Sequence, residues 1–188
     1  MPGPLGAIRK GLILNFKQLL AKYVTENLPT HQLPEIGIKG LEEALDSPSL
    51  CILAGLNKDE NPFVIEDYFK LALKELRINL PNERQAAIEY ILAIIENIIS
   101  RKTDIIDGIE EIKTKAIDSY DFFSESVEFC YDSIGFEKIY GLYDSYCDLL
   151  GSDIQWDINK NNVQLMQEIK QDLYNEIPKW KEILINGA

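Results

Sequence analysis

The 188-residue chain has one histidine, three cysteines and two methionines, so soft and borderline metal donors are scarce. His31 is the sole imidazole, and Cys51, Cys130 and Cys147 stand far apart rather than in Cys-x-x-Cys pairs. No zinc ligand set can be assembled from them at known spacings. An odd number of scattered cysteines also gives no disulfide framework, and a reducing cytoplasm is the expected compartment. Cys51 and Cys147 lie in apolar stretches and are expected to be small buried hydrophobes. Long hydrophobic runs are missing too. The longest, such as Ile91 to Ile95, fall far short of the roughly 20 residues that cross a bilayer. Near the start, Arg9 and Lys10 precede only Leu12, Ile13 and Leu14 before Asn15 and Lys17 intervene, which predicts no secretion signal.

Positive charge is the next shortage: 19 Lys and Arg face 31 Asp and Glu, a net charge of -12. That balance argues against nucleic acid and membrane surfaces as partners, because both attract cationic proteins. The chain contains no Gly-x-Ser-x-Gly, Gly-x-x-x-x-Gly-Lys or Gly-x-Gly-x-x-Gly. His31 sits in a Pro-rich segment with Thr30 as its one hydroxyl neighbour, a poor start for a Ser/His/Asp triad. An enzyme is therefore not the expected class, and no cofactor is indicated.

What is present points to a packed all-α protein. A hydrophobic content of 46% with two Trp, nine Tyr and seven Phe argues against disorder. Residues 1–7 read as a flexible N-terminus and residues 8–188 as a single helical domain, within which 120–188 can form a subdomain. Apolar residues at helical spacing predict a first helix from Ile8 to Val24. Leu28 to Gly40 holds too many prolines and glycines for regular structure, with short helical turns following at Leu41–Leu45 and Ser49–Leu53. Asn61 and Pro62 open a helix running to about Ile78. Asn82 caps another, whose broad Ala87-to-Ile99 apolar face makes it the most buried element. A further helix begins at Asp104. Tyr120 to Leu150 reads as one or two helices interrupted near Gly135, and Gly151 to Asp157 as a loop. Val163 to Ile177 forms another helix, and Pro178 opens a final short one. No strand–turn–strand pattern occurs. The expected architecture is an irregular bundle of about seven to nine helices without substantial sheet.

Several stretches, Pro34-Glu35, Ala44-Leu45-Asp46-Ser47-Pro48-Ser49-Leu50, Leu53-Ala54-Gly55-Leu56, Ala72-Leu73-Lys74-Glu75-Leu76 and Leu80-Pro81, together resemble a group of small bacterial proteins of uncharacterised function. The likeness covers roughly residues 15–115. Its parts are helix starts, turns and packing positions, so it implies a shared helical fold and carries no chemistry.

Two acidic arrangements carry the candidate chemistry. Asp104, Asp107 and Glu111 fall at i, i+3 and i+7, the spacing that could present three carboxylates to a hard cation. Acids in a first helical turn are explained by the helix dipole alone, and the ordinary solvated face is the preferred reading. Asp118, Asp121, Glu125, Glu128 and Asp132 recur at intervals of 3, 4, 3 and 4, so on one helix they would form a continuous acidic stripe. From Asp104 to Asp157 there are 14 acids against 3 lysines, which places nearly all the excess charge there. Nine aromatics also lie between Tyr120 and Tyr146. Solubility is the plain explanation. The sharper one is a face of carboxylates with Tyr131 and Tyr140 that binds a basic protein, in the manner of an immunity protein or antitoxin. A carboxylate-metal enzyme and a structural homo-oligomer are the alternatives.

Overall fold

Asn15 caps the first helix among the described residues. The computed structural model describes residues 12–152 and 154–187. The Asn15 side chain accepts from the Gln18 backbone N–H at 2.8 Å, and the Gln18 side chain accepts from the Asn15 N–H at 3.0 Å. This reciprocal cap starts α1 (Phe16–Val24). The predicted start at Ile8 lies outside the described residues, and residues 12–15 are not helical. Eight α-helices and no strand occur among the described residues. The protein is all-α, and its helices divide between two compact units.

One unit holds residues 14–93 and 114–120. Its second helix, α2 (Leu33–Glu42), forms where the prolines and glycines predicted irregular chain. Pro34 lies in the first turn, where its missing N–H costs nothing. Gly37 and Gly40 are contact positions rather than breakers. A Cβ on Gly37 would stand 2.7 Å from the Ala54 backbone nitrogen of α3 (Pro48–Gly55), so only a bare Cα permits this approach. Helix α4 (Pro62–Leu76) is capped by Asn61, whose side chain accepts from Phe63 N–H at 3.0 Å, and it ends at Arg77 in the left-handed region. Glu75 reaches the start of α3, accepting from the Ser49 N–H at 2.9 Å and the Ser49 hydroxyl at 2.7 Å. These bonds hold its carboxyl below the usual range. Leu20, Leu33, Ile36, Leu53, Ile65 and Phe69 form the core of this unit.

Helix α5 (Glu83–Ile99) begins after Asn82, whose side chain accepts from Gln85 N–H at 2.8 Å, and the boundary between the units falls between Ala93 and Ile94. It carries the longest buried series, from Ala86 to Ile98, as its broad apolar face predicts.

Of the described residues, the other unit comprises 12–13, 94–113, 121–152 and 154–187. Buried Asn97 holds the backbone of Ile13 from both sides, accepting its N–H at 3.2 Å and donating to its carbonyl at 3.1 Å. Helix α6 (Ile105–Glu111) is capped by Asp104 and runs on into a wider π-helical turn over Ile112–Ile117. Helix α7 (Glu137–Leu150) follows Gly135. Helix α8 (Asn162–Gly187) is continuous through Pro178, which corrects the expectation of a separate terminal helix there. Pro178 is exposed while Ile177 and Trp180 are buried. The carbonyl left without its helical partner can thus be solvated while packing on the opposite face keeps the helix running.

All three cysteines are exposed, against the expected burial of Cys51 and Cys147. Helix α3 is apolar almost all round, yet only its Ser49, Leu50 and Leu53 face is covered, so Cys51 and Ile52 turn outward. Cys147 lies on the uncovered side of α7, two residues from buried Leu149 and so across the helix from it.

Candidate protein-binding surface

Segment 118–131 is where the predicted acidic stripe meets the structure. The five carboxylates do not share a helix, because beyond Ile117 the chain folds into successive turns up to a 3-10 turn at Asp132–Ile134. The residue types explain this. Serine and aspartate compete for backbone groups that a helix would otherwise pair. The Ser119 hydroxyl donates to Ala116 O at 2.6 Å, Asp121 accepts from Ser124 N–H at 3.1 Å, and the Ser124 hydroxyl donates back to Asp121 O at 2.8 Å. Ser126 closes the next turn, donating to Phe122 O at 3.3 Å and accepting from Tyr131 N–H at 2.8 Å. Asp118 belongs to the first unit and the other four acids to the second.

Asp132 is the clamp of this segment. Its carboxylate accepts the backbone N–H groups of Val127 at 2.9 Å, Glu128 at 2.7 Å and Phe129 at 3.0 Å. Three converging donors favour the ionised form and hold its carboxyl below the ordinary aspartate range, with the Phe129 bond contributing most. Asp132 is therefore spent on the loop rather than offered to a partner.

The rings behave differently from expectation as well. Tyr131, at a φ of 63°, turns into an aromatic cluster, 5.5 Å from the Tyr140 ring, 6.1 Å from Phe136 and 6.2 Å from Phe123. Both tyrosines are half-buried. The Lys113 ammonium stands 5.1 Å from the Tyr140 centroid and 5.7 Å from that of Tyr143, so a cation of the chain itself already occupies these rings. Of the nine aromatics in this stretch, Phe122 and Phe136 are buried.

The apolar side chains that do reach solvent are Phe123, 60% exposed, Val127, 94%, and Phe129, 59%. Asp121 and Glu128 are exposed beside them in sequence, and Glu125 is half-buried. Segment 121–129 thus exposes three hydrophobes and two carboxylates, of which Asp121 also accepts from Ser124 N–H, on a backbone that Asp132 and Ser126 hold in place. Of the predicted residues, Asp121 and Glu128 lie in this segment, Tyr131 sets its ring near those of Phe123 and Tyr140, and Asp132 holds the backbone. Helical spacing assigns Val127 and Phe129 to a helix face that the turns do not provide, and it does not single out Phe123. The density of Ser and Asp between 118 and 133 was the available signal, since it marks turns whose apolar residues have no helix face to retreat to.

Compared with known proteins, the chain matches no family model, no curated protein and no solved structure.

Other candidate chemistry does not converge. Asp104 is engaged twice, capping Ile106 N–H at 2.9 Å and pairing with Lys170 at 3.3 Å. Among the described residues no group of three His, Cys, Asp or Glu side chains is placed to hold a metal ion, so Asp104, Asp107 and Glu111 do not form one. His31 is exposed in a 3-10 turn at Thr30–Gln32. Among the described residues no helix is long and apolar enough to cross a membrane.

Proposed function

We propose that this chain is a non-catalytic protein-binding module that docks a basic partner through segment 121–129. The observation that carries this reading is the exposure of Phe123, Val127 and Phe129 on a loop clamped by three hydrogen bonds to Asp132. Uncovered apolar side chains on a preorganised segment favour association, because burying them is favourable and little loop entropy remains to be lost. Asp121 and Glu128 bias that association toward a cationic surface, speeding encounter and rejecting acidic competitors. An inhibitor of immunity or antitoxin type fits such a face. A basic enzyme that grips nucleic-acid phosphates exposes the cationic groove that carboxylates can cover.

The test is affinity purification with the full chain, followed by reconstituted binding to the purified candidate at low and moderate salt. A basic protein whose affinity falls with salt, and falls again with Phe129→Ala and Glu128→Lys, supports the reading. Binding indifferent to both substitutions overturns it. Self-association is the second reading, favoured by exposed Leu150, Ile154 and Ile158; light scattering that shows a monomer at high concentration removes it.

A further inference from the structure

A cavity of about 300 Å³ opens between α7, α8 and the loop joining them, away from segment 121–129 in sequence and independent of it. Its apolar wall is made by Leu149 of α7, Leu165 and Ile169 of α8, and the indole of Trp156. The loop is fastened on this side. Trp156 Nε1 donates to the Ser152 hydroxyl at 3.1 Å, and Asn162, at the start of α8, donates to the carbonyls of Ser152 at 3.1 Å and Ile154 at 2.9 Å.

The remaining wall is acidic. Leu165, Glu168, Ile169 and Asp172 occupy i, i+3, i+4 and i+7 of α8, so each carboxylate lies one helical turn from an aliphatic side chain. Asp148 of α7 adds a third carboxylate. Lys160, which does not line this cavity, pairs with Glu168 at 2.7 Å and so offsets the charge of that carboxylate. Among the described residues, Asp148 and Asp172 then leave two negative charges at a hollow lined by hydrocarbon and an indole.

That combination selects among ligands. A hard divalent metal ion prefers a shell of six or more oxygens and gains nothing from Leu, Ile and Trp. A neutral apolar ligand would desolvate the carboxylates without pairing them. An anion is repelled. A molecule with positive ends and a methylene stem satisfies both walls, its ammonium groups meeting carboxylates or the indole face while its stem covers the aliphatic side chains. We propose that this cavity is a binding site for a linear aliphatic diamine or polyamine.

Isothermal titration calorimetry on the full chain, at fixed ionic strength, tests it with diaminobutane, butanol, magnesium chloride and an Nα-acetyl-lysine amide as probes. A saturable one-to-one isotherm for diaminobutane is expected, with butanol at least about tenfold weaker and magnesium unable to displace the diamine. Asp148→Asn combined with Asp172→Asn should weaken binding by about tenfold or more. Trp156→Ala should weaken it with all charges intact, and circular dichroism checks that each variant keeps its helix content. Displacement by magnesium at equal concentration would reduce the site to counterion attraction and overturn the proposal, as would unchanged affinity in both variants. Tighter binding of the acetyl-lysine amide than of the diamine would reassign the cavity to a lysine side chain of a protein.

Discussion

The indole Nε1 of Trp180 donates to the main-chain carbonyl of Ile134 at 2.7 Å, joining residues 46 positions apart inside the core of the second unit. The same ring packs on Phe136 with centroids 4.8 Å apart. Trp180→Phe keeps an aromatic there but leaves a buried carbonyl without its donor. A loss of about 1–3 kcal/mol is expected from that group alone, with a further packing loss from the smaller ring. Urea denaturation followed by circular dichroism measures it, and an unchanged midpoint would show that the bond contributes nothing.

Gly37→Ala should destabilise the first unit. The added methyl would stand 2.7 Å from Ala54 N and 3.0 Å from Ala54 Cα, both backbone atoms that cannot rotate away. Alanine gains about 1 kcal/mol of helix propensity over glycine, yet forcing α2 from α3 costs about 1–3 kcal/mol, so the net change is a loss. A higher melting temperature for Gly37→Ala would mean that the helices separate freely.

Asp132 and Glu75 predict acid sensitivity. Both have folded-state pKa values below the ordinary carboxylate values, Asp132 through the N–H groups of Phe129, Glu128 and Val127, and Glu75 through Ser49. A depressed folded pKa contributes stability that is complete above the unfolded value of about 4 and is lost as pH falls through the lower folded value. Stability should therefore decline below about pH 4, and Asp132→Ala should flatten part of that decline while loosening residues 127–129. Amide exchange at Val127, Glu128 and Phe129 is the direct measurement. Equal protection in wild type and variant would contradict the clamp.

Tyr143 should titrate late. Burial chiefly, then its hydrogen bond with Cys147 and the negative charges of Glu110 and Asp107, push its phenol up to about 12. The folded state holds this proton more tightly than the unfolded chain, whose tyrosines titrate near 10. Its contribution is complete below about pH 10 and is lost as pH rises through the folded value. Spectrophotometric titration should show a late component that disappears in Tyr143→Phe. A titration ending near the ordinary tyrosine value in both proteins would refute the assignment.

Within segment 121–129, the two kinds of substitution should separate kinetically. Phe129→Ala removes exposed apolar area and should raise the dissociation rate of a bound partner by about tenfold. Glu128→Lys reverses a rim charge and should lower the association rate, with the loss shrinking at high salt. Surface plasmon resonance at two ionic strengths distinguishes them. Phe129→Ala that leaves dissociation untouched would place the interface elsewhere.

Local chemistry made the all-α class legible from the sequence. Asn61 with Pro62, Asn82 and Asp104 are caps whose side chains find N–H groups a few residues away, and the Ala86–Ile98 face needs only its own period to be read. The excess of negative charge between Asp104 and Asp157 is likewise a property of the chain itself. Other features required neighbours distant in sequence. Gly37 looks like a helix breaker until Ala54 lies against it, and Pro178 looks like a helix start until buried Ile177 and Trp180 carry α8 past it. Segment 118–131 kept its acids but lost the stripe, because Ser and Asp side chains captured the backbone there and the tyrosines found Phe136 and Lys113. Composition set the sign of the surface. Packing chose which rings reached it, since the exposure of a side chain depends on what tertiary contacts leave uncovered.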